Sequence, residues 1–211
     1  MNNRLRGPAY DARIMRWLLL VLLVCSAAAC AQNPVEVAGV RFEPRARIGE
    51  AEARLNGAGV RSILGFKLYA IGLYLPQQQQ TLAAALRSQG AKRIEVVPLF
   101  ALNAELFALG LVKGLRRNLS DSEYAELQQR IDKLRTTVRT MDDAAAHSLI
   151  QIDWLPAAGA AGGVTRLSID GLQRGEDIGG EDFFQAVLKV WLGEKVHDAR
   201  LRDALLGRAS G

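Results

Sequence analysis

Cysteine is missing from almost the whole chain. The two that occur, Cys25 and Cys30, both fall within the first 31 residues. The rest of the sequence therefore offers no disulfide and no thiol for catalysis or metal binding. Histidine is nearly as scarce. His147 and His197 cannot by themselves build a multi-histidine metal centre, and they read as surface or boundary residues. No G-x-S-x-G is present to make a nucleophile elbow, and no G-x-x-x-x-G-K-[ST] to cradle a phosphate. Asn56-Gly57-Ala58-Gly59 has two glycines of a dinucleotide loop but lacks the third and the helix that should follow. Glu176-Asp177 reads as a solvated turn, and Glu181-Asp182 as acids favourable at a helix N-terminus, rather than as a cation site. No metal and no cofactor is expected. Nor does charge of one sign dominate. The net charge of the 211 residues is +5, but Arg4, Arg6, Arg13 and Arg16 against Asp11 account for part of it, leaving 23 basic against 21 acidic side chains beyond residue 31. That balance gives no electrostatic footprint for nucleic acid.

What is present begins with an apolar run, WLLLVLLVCSAAA at residues 17–29, behind Arg13 and Arg16. Ala29-Cys30-Ala31 supplies an A-x-A site before Gln32. Positive region, short apolar region and small-residue site follow the order of a cleaved secretory signal peptide at residues 1–31. The run is shorter than the roughly 20 apolar residues of a membrane span. A lipid anchor at Cys30 is the second reading. Met15 is an alternative start that would give a compact signal.

Residues 32–211 then suit one domain with no membrane span. Residues 35–48 suit one or two short strands, and 59–64 and 66–75 a further pair ended by Pro76. Gly57, Gly59, Gly65 and Gly72 mark turns, a bulge or close backbone approach. A short helix over 81–88 can be capped by Thr81, and 94–100 reads as a strand. Asn103 can cap the next helix. Ser120 and Glu123 form an S-x-x-E capping box before a stripe of Tyr124, Leu127, Ile131, Leu134 and Val138. Strands near 148–155 and 164–170 flank an Ala-Gly loop. The last elements are an apolar helix over 181–192 and a short helix over 198–206. Strands and helices do not alternate regularly, which indicates α+β: an antiparallel sheet covered on one face by helices.

Arg61 and Tyr69 stand out. Adjacent strands can place them together on one face. An Arg turned towards the helix side needs an anionic partner. A ligand carboxylate would serve, through bidentate hydrogen bonds, with a Tyr hydroxyl adding a third. An internal carboxylate such as Glu95 or Asp153 would serve equally.

The stretch LNGAGVRSILGFKLYAIGLYLP resembles the chalcone isomerase superfamily, and its bacterial exported branch in particular. The helix pair after Phe100 and the C-terminal GVTRLSIDG and IGGEDFFQAVLKVWLGEKVHDARLRDALLG agree. The resemblance covers roughly Val35 to Gly207. It implies an open-faced β-sandwich, a large antiparallel sheet with a helical layer on one face and a ligand cleft between them. It also implies a periplasmic location. Of the polar groups used by the enzymes of the superfamily, the Arg falls on Arg61. The Thr falls on Tyr69, the Tyr and Asn near Ala104 and Leu111, and the last hydroxyl near Phe184. A site stripped of hydrogen-bonding groups loses most transition-state stabilisation. Non-catalytic relatives resemble fatty-acid binders that use an Arg and a Tyr, as at Arg61 and Tyr69. The resemblance thus implies a small amphiphilic ligand such as a fatty acid. An intramolecular lyase acting on a chalcone or other enone is the alternative, and a structural or partner-binding envelope protein the second alternative.

Overall fold

The computed structural model describes residues 33–139, 144–157 and 162–208. The expected signal peptide lies outside them, as does most of the Ala-Gly loop. The chain divides into two units, Met1–Asn33 and Pro34–Gly211, and every element below belongs to the second.

Nine strands and five helices are present among the described residues. A hairpin of β1 (Val35–Val37) and β2 (Val40–Phe42) precedes a seven-stranded sheet. The sheet runs in sequence order: β3 (Arg45–Ile48), β4 (Ala51–Ile63), β5 (Phe66–Leu75), β6 (Lys92–Pro98), β7 (Ile150–Leu155), β8 (Val164–Ile169) and β9 (Leu172–Gly179). All neighbours are antiparallel. The helices are α1 (Leu82–Arg87), α2 (Ala104–Asn118), α3 (Asp121–Arg139), α4 (Glu181–Leu192) and α5 (Ala199–Leu205). The α+β architecture and the helix-covered sheet agree with the sequence reading.

Residue alternation divides the sheet into two faces. From β5, Tyr69, Ile71, Leu73 and Leu75 enter the main core beneath the helices, whereas Ala70 and Tyr74 enter a smaller core on the other face. Phe42 of β2 covers that smaller core. Among the described residues the buried members of the two cores run from Val40 to Leu206, within the unit Pro34–Gly211. Helix α4 is the greasiest cover, with Phe183, Phe184, Val187, Leu188, Trp191 and Leu192 all buried. The rest of the second face is polar. Arg93 grips Asp153 through two bonds of 2.7 Å, and Arg166 grips Asp177 at 2.9 and 2.7 Å. Lys92, fully buried on the helix side, reaches Glu181 of α4 at 3.1 Å and ties strand to helix.

Local chemistry sets the helix boundaries. Thr81 caps α1 and Asn103 caps α2 through their side-chain oxygens. Ser120 and Glu123 form the reciprocal box at the start of α3. The Glu123 carboxylate also accepts from Lys189 at 3.0 Å, and these bonds, led by the Ser120 N–H, lower its pKa to about 2.

Several boundaries differ from the sequence expectation. Residues 35–48 hold three short strands. Strand β4 begins at Ala51 and runs through Gly57 and Gly59 without a break. These glycines do not interrupt the strand because α5 lies directly on them. A Cβ at Gly57 would sit 2.0 Å from the Ala204 carbonyl oxygen, and one at Gly59 would sit 2.8 Å from Leu201 Cδ1. Glu176 and Asp177 are not on a turn. They extend β9 and pair with Lys133 and Arg166.

Gly57→Ala forces backbone apart where the chain offers no flexible side chain to yield. We expect a loss of about 1–3 kcal/mol, read as a lower melting temperature by circular dichroism. Glu123 supplies a pH test. Its folded pKa lies below its ordinary 4.5, so its stabilisation is complete above pH 4.5 and is lost as pH falls to about 2. Glu123→Gln should flatten the fall of melting temperature across that window; an unchanged acid limb would refute the assignment.

Candidate functional site

Two bulges in the β4–β5 pair build the site. At the first, Leu55 faces Tyr74 and Gly57 faces Leu73, leaving Asn56 as the extra residue of β4. The buried Asn56 amide donates to the carbonyls of Gln79 and Leu205, and its oxygen accepts from Gln79 N–H at 2.6 Å. The bulge therefore locks α5 to the sheet. At the second, Arg61 faces Tyr69 and Ser62 faces Lys67, leaving Leu68 as the extra residue of β5. This resets the alternation. Tyr69, Leu68 and Phe66 all border one cavity, together with Arg61 and Ile63 of β4.

The cavity has a volume of about 680 Å³, within the roughly 300–1,000 Å³ of small-molecule sites. Its walls are the end of the β4–β5 hairpin, one side of α2, and residues 190–201 of α4, α5 and their connection. Most of the lining is apolar. Phe107 of α2 packs edge-on against Tyr69 with ring centroids 6.1 Å apart.

Arg61 and Tyr69, singled out in the sequence, are direct cross-strand partners on the cavity wall. The Trp191 indole N–H donates to the Tyr69 hydroxyl at 3.0 Å. With an acceptor site filled, the phenol proton remains available to donate into the cavity. Burial raises the Tyr69 pKa, against the lowering influence of the Trp191 bond and of Arg61, so the phenol stays neutral. Arg61 is largely shielded, and its guanidinium stands 3.8 Å from an Asp198 carboxylate oxygen. That separation is beyond a hydrogen bond. No hydrogen bond uses the Arg61 guanidinium among the described residues. Its forked donors remain open to a planar anion.

The internal partners expected from sequence are corrected here. Glu95 and Asp153 both face Arg93, on the opposite side of the sheet. The carboxylate near Arg61 is Asp198, which also caps α5 by accepting from Leu201 N–H at 3.0 Å. Sequence reasoning missed Asp198, Trp191, Lys113 and Arg117, all of which border the cavity. The signal for Asp198 was present, since an Asp at the start of the last short helix is a cap candidate. His197 is exposed at the cavity edge. Arg117 first, then burial and Arg61, hold its pKa below the ordinary range. Ala104 is buried, and Phe184 lies wholly in the core, away from the lining. Among the described residues no group of three His, Cys, Asp or Glu side chains could hold a metal ion, and no helix is long and apolar enough to cross a membrane.

The family model described as chalcone isomerase-like matches residues 34–207. The chain belongs to the chalcone isomerase-like family. Among solved structures it is similar to the crystal structure of a fatty-acid binding protein from Arabidopsis thaliana, with a TM-score of 0.61 and 17% sequence identity. That match covers 82% of this chain and 96% of the plant protein. At this identity the likeness establishes the shared chalcone isomerase-like fold. Among curated proteins no sequence match is found.

Tyr69→Phe removes the one acceptor the Trp191 N–H has among the described residues and strands a buried donor. The expected cost is about 1–3 kcal/mol of stability, and adding Trp191→Phe should recover part of it. Thermal unfolding of the single and double variants checks this; equal melting temperatures for Tyr69→Phe and the parent would show the bond carries no weight.

Proposed function

We propose that this protein binds a fatty acid or a similar amphiphilic carboxylate without converting it. The carrying observation is one spot on the wall of an apolar cavity. There the open guanidinium of Arg61 and the unspent phenol proton of Tyr69 stand on paired positions of adjacent strands. A carboxylate placed there receives charge-assisted bonds from Arg61 and a third from Tyr69. Its tail then lies among Phe107, Leu111 and the hairpin residues. The fold shared with a protein described as a fatty-acid binder supports the same reading.

Asp198 tempers the site. The bound carboxylate shares Arg61 with it, so affinity reflects ligand gain minus repulsion from a fixed carboxylate. The absence of reaction is part of the proposal. Ala104, Leu111 and Phe184, the positions matched to the enzymes' polar groups, carry apolar side chains that neither orient water nor polarise a ketone. We further propose that binding takes place in the periplasm after removal of residues 1–31. The apolar run and A-x-A site support that location, with anchoring at Cys30 as the alternative.

Palmitate titration of residues 32–211 tests the reading, with native mass spectrometry of the same protein for a retained ligand. Arg61→Ala should weaken palmitate binding by about 10–100-fold, the equivalent of a charge-assisted hydrogen bond. Asp198→Asn, which keeps a capping oxygen, should tighten it. Unchanged affinity in Arg61→Ala would discard the proposed anchor. Turnover of a chalcone above background would discard the non-catalytic part.

A further inference from the structure

Six of the eight large apolar side chains exposed among the described residues border the mouth of this one cavity: Ile63, Leu64, Phe66, Phe100, Leu106 and Leu109. Single exposed apolar residues are ordinary, but a cluster of this size is not. Leu64 is 94% exposed and Phe66 73%. Leu64 also holds a left-handed backbone, φ 50°, at the hairpin tip. Gly or Asn adopts that conformation more readily, so a large apolar side chain stands there against turn preference.

Charge accompanies the patch. Lys113 and Arg117, one turn apart on α2, border the same cavity, and Lys67 follows Phe66 on the hairpin. None of the three has a carboxylate partner among the described residues. Asp198 is the one carboxylate in the described lining, and it faces Arg61. Glu105, on the first turn of α2, is held by Arg139.

We propose that this face docks on an anionic lipid bilayer, with Leu64 and Phe66 entering the interface and Lys67, Lys113 and Arg117 meeting the headgroups. A bilayer supplies both chemistries at once: hydrocarbon for the hairpin tip and negative charge for the cations around it. A second copy of the chain fits less well. A two-fold contact sets each patch against itself and brings the unpartnered cations of both copies together. Docking in this orientation turns the cavity mouth towards the membrane, so an amphiphile passes between bilayer and cavity without crossing water.

The test is co-sedimentation of residues 32–211 with vesicles of phosphatidylcholine alone and of phosphatidylcholine mixed with anionic phosphatidylglycerol. The protein should pellet with the mixed vesicles, less with the neutral ones, and be released by salt. The double variant Leu64→Glu/Phe66→Glu should lose about tenfold or more in vesicle affinity. Its melting temperature should match the parent's, because both side chains are exposed. No pelleting with mixed vesicles, or equal pelleting by the double variant, overturns the proposal. So does a concentration-dependent dimer that the double variant abolishes in the absence of vesicle binding, an outcome that gives the patch to a second copy. No ligand is added, so a failure here leaves the palmitate reading to its own test.

Discussion

One extra residue in strand β5, Leu68, separates the part of the sheet that is packed from the part that encloses space. Below it, alternate side chains from Tyr69 to Leu75 fill the core against α4. Above it, the reset alternation turns Phe66 to the same side as Tyr69, where the helices stand off and leave a cavity. Without the bulge Phe66 would point to the opposite face and Lys67 would point inward, a charge in an apolar wall. Arg61, paired with Tyr69, holds the last register position before this irregularity.

Polar groups in this molecule are handled differently on the two faces of the sheet. The outer face binds its charges to one another: Arg93 to Asp153, Arg166 to Asp177, with Asp153 and Arg166 themselves in cross-strand register. On the helix side, Lys92 is committed to Glu181 and Asn56 to two carbonyls. Arg61 is the contrast. Its counter-charge stands at a distance that attenuates the field without consuming the donors. An arginine held in that condition is suited to a planar anion arriving from outside.

Much of this was legible in the sequence because it is written in local chemistry. The caps at Thr81, Asn103 and Ser120 are side chain to backbone contacts within three residues, and the stripe of α3 is a simple periodicity. Arg61 and Tyr69 could be brought together by counting along two adjacent strands. The remainder depends on contacts far apart in the chain. Gly57 and Gly59 looked like interruptions, yet they are the positions where α5, some 145 residues later, rests on the strand. The length of β9 was hidden because Glu176 and Asp177 suit a turn until Lys133 and Arg166 are opposite them. Asp198 was hidden for a related reason. Its capping role is local, whereas its approach to Arg61 exists only once α5 has been docked by Asn56.

The β4–β5 hairpin outruns its neighbour. Strand β6 ends at Pro98, opposite Tyr69, and beyond it only the Leu99 N–H reaches back to Leu68. The tip is thus a two-stranded ribbon with no third strand to hold it, the kind of element that opens at a small fraction of the global unfolding free energy. Access to the cavity and thermal stability therefore depend on different residues. Changes at the tip reshape the cavity's entrance, while changes at Gly57, Asn56 or Lys92 decide whether there is a cavity at all.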